Sequence, residues 1–446
     1  MNLVSFSIKT KGIHNFARRL WTVFTRFGIT ETRTRRALLT AIEALRQFNA
    51  APTFFIPAVV LRRHCTLLAE ISQYGAEIGV HGYVHNDYRS LSALQQFKQT
   101  EQAVSIFRNT RTPYQGFRNP YLGWTKESLA VFTALKFAYE SNEAVLHDVV
   151  DLNLFQPAIR MGYEKSLVLF QALACNAYTL RPHLEGQLVR IPTSIPDDEM
   201  LFDRLRITEP EEVGDIWCKV MQRVYDFGGV YTLNLHPERA VPCKKALTKL
   251  LYFADNRPLP VWLARLQDIA QWWKERSNFR LVITPLAFER WQVQTLCSSN
   301  ATLLARNLIL ENQPVLAWHG NIKRLQTSDC TIKATTCPCI GLSPQTPKEV
   351  VDFLHEQGYP VTPSVLEESY QYSLYLDLPE GFGATPEEQL QQRSLLIEQI
   401  DQLDAPLLYF GCWPDGKRAA LAITGDIDSV TIQDFFLRIF EVSRNT

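Results

Sequence analysis

Apolar and polar residues follow two different patterns along the first two thirds of the chain, one typical of helices and one typical of buried strands. Residues 34–48 carry apolar side chains at three- and four-residue spacing, which predicts an amphipathic helix. The next run, PTFFIPAVV (residues 52–60), is apolar and contains two prolines that bound a predicted buried strand. Further predicted strands are AEIGVHG, FAYESN, VRIPTS and GGVYTLNLHPE. Because helical patterns alternate with the strands, the sequence favours an α/β fold with a parallel sheet.

The pattern changes after about residue 285. Residues 291–310 and 314–336 indicate short strands joined by polar turns, and residues 347–358 indicate a helix. This part of the chain is therefore predicted to form a smaller accessory domain, either mixed α/β or β-rich.

The composition is that of a large folded protein and shows no preference for nucleic acid or membranes. Of the 446 residues 46% are hydrophobic, enough for the core of one large and one smaller domain. Lys plus Arg equal Asp plus Glu at 46 each, so no charge excess points to a nucleic-acid partner. No apolar run has the length of a signal-peptide core or a membrane span. With nine scattered cysteines, these features predict a cytoplasmic protein with reduced thiols, and a homo-oligomer is left open.

Three short motifs place reactive side chains directly after predicted strands. His81 and His85 follow the strand EIGV, and on a helical turn their four-residue spacing would let both imidazoles share a metal. Arg118, in GFRNPY, is suited to hold a carboxylate, and His236 ends the strand LNLH, where it could act as a general acid. Taken singly, each motif has a simpler interpretation: unrelated surface histidines, a surface arginine beside a turn, or a structural histidine.

In this order, the motifs TFFIP, EIGxHxxxH, FRxPY and LxLH resemble those of the polysaccharide deacetylase family (carbohydrate esterase family four). The resemblance covers roughly half of the chain. It implies a distorted, seven-stranded, TIM-like (β/α) barrel. It also implies a hydrolase that removes N-acetyl or related acyl groups by using one divalent metal, held by one Asp and two His.

The resemblance assigns roles to the residues that match its motifs. His81 and His85 would be the two histidine ligands of the metal. Arg118 would orient the catalytic base, and the backbone N–H of Tyr121 would face the oxyanion. His236 would be the general acid.

Three further residues near the motifs are candidates for contact with substrate. Tyr83 and Trp124 could stack on a sugar ring, and they could equally belong to the barrel core. Asp198 lies in the pair Asp197-Asp198, within a segment where an Asp of the family often supports the barrel or the acid. A solvated turn accounts for this pair equally well.

The first motif of the family is missing from its expected place. Two Asp residues should end a strand before TFFIP, but the apolar segment there, residues 4–12, carries Lys9 and Lys11. A protonated lysine cannot bind a metal cation and would repel it. Up to this point, the chain lacks both the base and the third ligand.

The C-terminus provides a strand of the missing kind. An apolar run ends in Asp426-Ile-Asp428 and is followed by a helical pattern. Since the first and last strands of a barrel are neighbours, this strand could take the first position in a circularly permuted barrel. We therefore predict a barrel of residues 1–285 and 415–446, bridged by an accessory domain of residues 286–414.

By motif, Asp426 would be the general base and Asp428 the third metal ligand. Two alternatives stay open for this segment: an Asp that caps the following helix, or the beginning of another domain.

The predicted function is metal-dependent removal of an N-acetyl or related acyl group from a carbohydrate. Zn²⁺ is the first expectation for the metal, and Co²⁺, Ni²⁺ or Fe²⁺ would also suit these ligands. One alternative is an allantoinase-like amidase acting on a small non-peptide amide. Another is a non-catalytic, carbohydrate-binding descendant, which would apply if Lys9 and Lys11 occupied the first-strand position and the C-terminal strand lay elsewhere.

Overall fold

The computed structural model describes residues 27–175, 179–310, 314–326 and 329–445. Residues 4–12, with Lys9 and Lys11, lie outside the described residues. The strands are β1 (Thr53–Ile56), β2 (Glu77–Val80), β3 (Gly116–Phe117), β4 (Tyr139–Glu140), β5 (Ala144–Leu146), β6 (Leu173–Ala174), β7 (His183–Glu185), β8 (Leu188–Arg190), β9 (Thr193–Ile195), β10 (Val230–Leu235), β11 (Val261–Leu263), β12 (Arg280–Leu286), β13 (Arg290–Leu296), β14 (Leu303–Arg306), β15 (Ile309–Leu310), β16 (Val315–Ala317), β17 (Ile322–Leu325), β18 (Asp329–Lys333), β19 (Cys337–Leu342), β20 (Val361–Pro363), β21 (Tyr372–Leu376), β22 (Leu407–Phe410) and β23 (Ala419–Asp426). The α-helices are α1 (Thr32–Arg46), α2 (Ala58–Arg63), α3 (Cys65–Gln73), α4 (Ala93–Asn109), α5 (Lys126–Ala134), α6 (Pro157–Leu169), α7 (Pro210–Phe227), α8 (Ala240–Asp255), α9 (Leu266–Arg276), α10 (Lys348–Glu356), α11 (Pro386–Gln402) and α12 (Ile432–Asn445).

A curled, mostly parallel sheet forms the larger part of the molecule. From β1 the sheet continues through β2, β3, β4 and β8 on one side, and through β23, β10, β9 and β5 on the other. β4 and β5 are nearly consecutive in the chain, and so are β8 and β9. One end of the sheet contains β4 and β8, and the other end contains β5 and β9. Since β4 leads into β5 and β8 leads into β9, the two ends must lie close together, and the sheet curls into a barrel. This architecture confirms the predicted distorted (β/α) barrel.

The C-terminal strand β23 lies between β1 and β10. It pairs in parallel with β1, with Thr53 opposite Thr424 and Phe55 opposite Asp426. On its other edge it pairs in parallel with β10 along six residues. All eight residues of β23 are buried, which accounts for its continuous apolar sequence, since parallel strands are covered on both faces.

The helices around the barrel follow from local sequence signals. Helix α4 begins with a capping box between Ser92 and Gln95, in which each side chain receives a backbone N–H of the other residue. Helix α7 packs a row of apolar residues, including the buried Trp217, into an apolar cluster that also contains Leu233 and Leu250. No helix in the described ranges is both long enough and apolar enough to cross a bilayer.

The accessory region is β-rich, with two helices. Its sheets have the orders β12-β13-β18-β15, β16-β17-β14-β22 and β20-β19-β21, of which the first two are antiparallel and the third is parallel. One apolar cluster combines Phe55 and Ala422 of the barrel with Val293 and Phe410 of the accessory region. The division at residues 286 and 414 stays a prediction, because this shared core crosses it.

Two polar residues reinforce the junction between the barrel and the accessory region. Arg276 at the end of α9 is fully buried and donates to the main-chain oxygens of Gly411 and Gln357. Glu356 at the end of α10 accepts hydrogen bonds from Trp273 Nε1 and from the backbone N–H of Leu184, both at 2.9 Å. Burial raises the pKa of Glu356 to about 7.

Candidate active site

The predicted motifs meet at one edge of the barrel sheet. His81 directly follows β2, and Arg118 directly follows β3. His236 directly follows β10, and Asp426 is the last residue of β23. The strands that carry them run parallel, so their carboxyl ends, where α/β folds build their sites, lie together.

His81, His85 and Asp428 converge on one point. Asp428 Oδ1 lies 3.5 Å from His81 Nε2 and 3.2 Å from His85 Nε2. His81 Nδ1 donates to the Arg118 carbonyl oxygen at 2.8 Å, which leaves the lone pair of the neutral ring on Nε2, facing Asp428. One ligand atom from each residue lies within 4.8 Å of the other two. This donor set of two imidazoles and a carboxylate suits a divalent transition metal.

The histidine pair is not on a helical turn, so that element of the sequence interpretation is wrong. Residues 81–87 form an irregular loop after β2. Gly82 has a φ of 82°, a left-handed conformation that glycine adopts without strain. Within this loop, the two imidazoles lie at a ring-centroid separation of 5.3 Å.

Electrostatics at this cluster keep Asp428 ionised. Burial alone would raise the pKa of Asp428, but His85, His81 and Arg438 together hold it well below its usual value. Burial is also the main cause of the lowered pKa of His85, despite the nearby carboxylate. An ionised carboxylate beside a neutral imidazole is the protonation state in which both groups can bind a metal.

Asp426 is held from two sides within the barrel. Arg118, which is fully buried, places Nη1 3.2 Å from Asp426 Oδ1, and Asn234 Nδ2 donates to Asp426 Oδ2 at 2.9 Å. Arg118 Nη1 also lies 2.8 Å from Thr424 Oγ1, and its Nε donates to the Ser141 carbonyl at 3.1 Å. The carboxylate therefore has a fixed orientation, which a general base requires.

Backbone packing keeps Arg118 close to the centre of the sheet. A Cβ on Gly116 would lie 1.9 Å from the Tyr139 ring, so only glycine allows β3 to approach β4 this closely. The Arg118 guanidinium also lies over the ring of Phe55 at 4.4 Å.

His236 is paired with Asp198. Its Nδ1 donates to Asp198 Oδ1 at 2.7 Å, and its backbone N–H donates to Asp198 Oδ2 at 2.8 Å. Burial would lower the pKa of His236, but the charge and hydrogen bond of Asp198 raise it well above its usual value. The adjacent Asp197 has its pKa raised to about 7 by burial and by the charge of Asp198. A protonated imidazole with a buried carboxylate behind it is suited to donate a proton.

Tyr121 lies beside the metal-ligand cluster. It has a φ of 58°, and within the described residues its backbone N–H has no hydrogen-bond acceptor. Its ring packs edge-on against His85 with centroids 4.7 Å apart and is 40% exposed. Among the described residues, Tyr121 therefore has a backbone N–H without an acceptor and a partly exposed ring next to His85.

The remaining substrate-contact candidates have other partners. Tyr83 is partly buried and packs against an apolar cluster that contains Ile78 and Phe117. Trp124 also packs on that cluster, and the Arg190 guanidinium covers one face of its ring at 4.2 Å. Asp198 is fully buried, and both of its oxygens accept hydrogen bonds from His236. It thus contacts the candidate acid and does not face an open cleft.

The structure adds two polar residues that the sequence prediction missed. Asn234 holds Asp426, and its position two residues before His236 in the LxLH motif was a usable signal. Arg438 on α12 donates to Asp428 Oδ2 at 3.0 Å. Nothing in the local sequence identifies Arg438, because only the packing of α12 brings it to the site.

Comparisons with known proteins point to one family. Residues 33–139 match the family model described as polysaccharide deacetylase. The chain is 22% identical over 213 residues to a peptidoglycan deacetylase of Helicobacter pylori (strain ATCC 700392 / 26695), covering 44% of this chain and 69% of that protein.

Among solved structures, the chain is similar to a probable polysaccharide deacetylase from Pseudomonas aeruginosa PAO1 (18% identity, TM-score 0.41, 54% of this chain and 73% of that chain). It is also similar to Puue allantoinase (17% identity, TM-score 0.40, 53% of this chain and 71% of that chain). The family-model match and the curated relative show that this part of the chain is similar to polysaccharide deacetylases.

Proposed function

We propose that this protein is a metal-dependent hydrolase that removes N-acetyl, or closely related acyl, groups from a carbohydrate. One observation carries the proposal: His81, His85 and Asp428 converge beside Asp426, a carboxylate whose two oxygens are held by Arg118 and Asn234. The combination of three ligands and an oriented base is what hydrolysis of an amide by water requires.

The residues present fit a divalent metal. His81, His85 and Asp428 would hold it, since their ligand atoms lie within 4.8 Å of one another and two of them are imidazole nitrogens. When bound, the metal would lower the pKa of a water molecule and polarise the substrate carbonyl. We propose Zn²⁺, with Co²⁺, Ni²⁺ and Fe²⁺ as the other ions that these ligands suit.

The remaining chemistry belongs to side chains and backbone of this chain. Asp426 takes the proton of the attacking water, and Arg118 keeps its carboxylate oriented. The backbone N–H of Tyr121 donates to the developing oxyanion. His236, kept protonated by Asp198, delivers a proton to the leaving amine nitrogen.

The proposal that the substrate is a carbohydrate rests on the relatives. The curated relative is a peptidoglycan deacetylase, and the matched family model is that of polysaccharide deacetylases. We therefore propose an N-acetylated amino sugar, alone or within an oligosaccharide, as the substrate.

We also infer that the barrel is circularly permuted, with its first strand encoded at the C-terminus. The parallel pairing of β23 with both β1 and β10 supports this inference, as does the position of Asp426 and Asp428 beside His81 and His85. In this interpretation, residues 286–414 bridge the ends that the permutation separates.

The test is acetate release from N-acetylglucosamine oligomers by protein treated with chelator and then reloaded with Zn²⁺, with hydrolysis of allantoin measured in parallel. We expect acetate release that disappears with chelator and returns with metal. Turnover of allantoin without acetate release would favour the amidase. Binding of the oligomers without turnover in any metal-loaded form would favour the non-catalytic descendant.

A further inference from the structure

Residues 119–124, which include Tyr121, form a short loop with a strained backbone. Tyr121 and Leu122 have φ values of 58° and 54°, so two consecutive residues other than glycine lie in the left-handed region. Within the loop, the backbone N–H of Leu122 donates to the carbonyl oxygen of Asn119 at 3.0 Å. Residues persist in this conformation only where the surrounding structure holds them there. The contacts that hold the loop from outside therefore decide its conformation.

Asn142 holds the first residue of this loop. It is buried in the segment that connects β4 to β5, and its Oδ1 accepts the backbone N–H of Asn119 at 2.5 Å. Its Nδ2 donates to Glu140 Oε2, also at 2.5 Å. Both polar atoms of the side chain are thus engaged, which fixes the amide in one orientation. Asn142 therefore joins the loop to the carboxylate that ends β4.

Glu140 extends this connection to the last residue of the loop. Its other oxygen, Oε1, accepts a hydrogen bond from Arg190 Nε at 2.8 Å. The guanidinium of Arg190 in turn covers the ring of Trp124, 4.2 Å from the ring centroid. Glu140 and Arg190 are both buried, so water does not compete for these contacts. One carboxylate therefore links the two ends of the loop.

The loop lies beside the candidate metal site. The ring of Tyr121 packs against His85 with centroids 4.7 Å apart, and among the described residues the Tyr121 backbone N–H has no acceptor. A donor stabilises an oxyanion effectively only when its direction is fixed before the reaction. Relaxation of the left-handed backbone towards the common helical or extended regions would reorient the peptide groups of the loop. The contacts at Asn119 and Trp124 oppose that relaxation.

We propose that Asn142 and Glu140 are positioning residues, which hold residues 119–124 so that the Tyr121 N–H faces the developing oxyanion. This inference rests on the proposed function. The hydrogen bonds of the two side chains go to Asn119, to Arg190 and to each other. Their influence on the reaction therefore passes through the loop. We expect their loss to lower kcat while leaving KM and the metal content nearly unchanged.

The connection can be broken at either residue and then restored in the Zn²⁺-loaded, full-length protein. Glu140→Gln leaves one oxygen for two donors, and Asn142→Asp places two carboxylates against each other. Each single variant should lower kcat for acetate release about tenfold to a hundredfold, less than the loss of a whole oxyanion donor. In the double variant, the introduced amide donates to the introduced carboxylate, and the bonds to Asn119 and Arg190 are kept. Its kcat should return to within about threefold of the unaltered value.

Glu185→Gln is the matched control for the change of charge. Glu185 also accepts a hydrogen bond from Arg190, through Nη1 at 3.1 Å, but its side chain is half exposed. We expect kcat and KM of this variant to equal those of the unaltered protein. Metal content, measured by mass spectrometry, should be one ion per chain in every variant, because none of them alters a proposed ligand.

Hydrogen exchange without substrate separates this inference from the proposed function. Peptides covering residues 117–125 should exchange about tenfold faster in each single variant, and at the unaltered rate in the double variant. Unchanged exchange in the single variants would overturn the inference, whether or not the protein releases acetate. Faster exchange with an unchanged kcat, or a double variant as slow in turnover as the single ones, would also overturn it. Absence of acetate release by the unaltered protein would instead overturn the proposed function, while the exchange rates still report whether the two side chains hold the loop.

Discussion

Arg118 Nη1 lies 3.2 Å from Asp426 Oδ1, although 308 positions separate the two residues in the sequence. The pair joins a loop after the fourth barrel segment, counted from β23, to the strand encoded at the C-terminus. Both side chains are buried, so either one left alone would be an uncompensated charge in the interior. The same ion pair therefore stabilises the packing of β23 in the barrel and orients the candidate base Asp426.

Asp426→Asn should abolish hydrolysis while leaving metal binding intact. Asparagine keeps the shape of the side chain and an oxygen for Arg118, but it cannot take a proton from water. We expect kcat/KM for acetate release to fall by about 10² to 10⁴. Asp352→Asn, at an exposed residue of α10 paired with Lys348, is the matched control and should retain full activity. Activity of Asp426→Asn within a few-fold of the unaltered protein would assign the base elsewhere.

Asp428→Ala should lose the bound metal. The variant removes one of three converging ligands and leaves His81 and His85 as the only two in the cluster. We expect metal content, measured by mass spectrometry after dialysis, to fall from one ion per chain to well below that value. Asp352→Ala serves as the control for the substitution itself. Full retention of metal by Asp428→Ala would contradict this ligand assignment.

Asp198→Asn should shift the pH dependence of hydrolysis. Asp198 raises the pKa of His236, so its neutralisation lowers that pKa and the histidine loses its proton at a lower pH. The basic limb of the kcat/KM profile should therefore move to lower pH, with a reduced maximum. Asp215→Asn on α7, where the carboxylate pairs with Lys249 at the surface, should leave the profile unchanged. An unmoved basic limb in Asp198→Asn would separate His236 from the proton transfer.

Glu356→Gln should flatten the pH dependence of stability. The pKa of Glu356 is raised from 4.5 to about 7 by burial, so the folded protein holds a proton there that the unfolded chain releases. The neutral Glu356 carboxyl therefore favours the folded state fully below about pH 4.5, and this stabilisation is lost as the pH rises towards 7. The full effect is at most on the order of 3 kcal/mol.

Thermal unfolding at pH 5 and pH 8 checks this prediction. The introduced amide stays neutral at both pH values, so Glu356→Gln should gain stability relative to the unaltered protein on going from pH 5 to pH 8. Glu349→Gln, an exposed position on the same helix, should show no such change. Parallel pH dependences for Glu356→Gln and the unaltered protein would show that this carboxyl does not titrate on folding.

The sequence by itself determined the barrel class and most of the candidate catalytic residues. The strand TFFIP and the motifs around His81, Arg118 and His236 are local patterns, and each is followed by a loop at the same end of a parallel sheet. Because parallel strands place their carboxyl ends together, the order of the motifs was enough to predict that their side chains would meet. The D-x-D of Asp426 and Asp428 was recognised only through its resemblance to the first motif of the polysaccharide deacetylase family.

Only the tertiary structure decided how these residues are held. Asn234 and Arg438 reach the two aspartates through packing between elements distant in sequence, which no local pattern encodes. Asp198 contacts His236 because β9 and β10 are neighbours. Sequence patterns report burial and spacing along one segment, whereas contacts between segments depend on how the whole chain closes on itself.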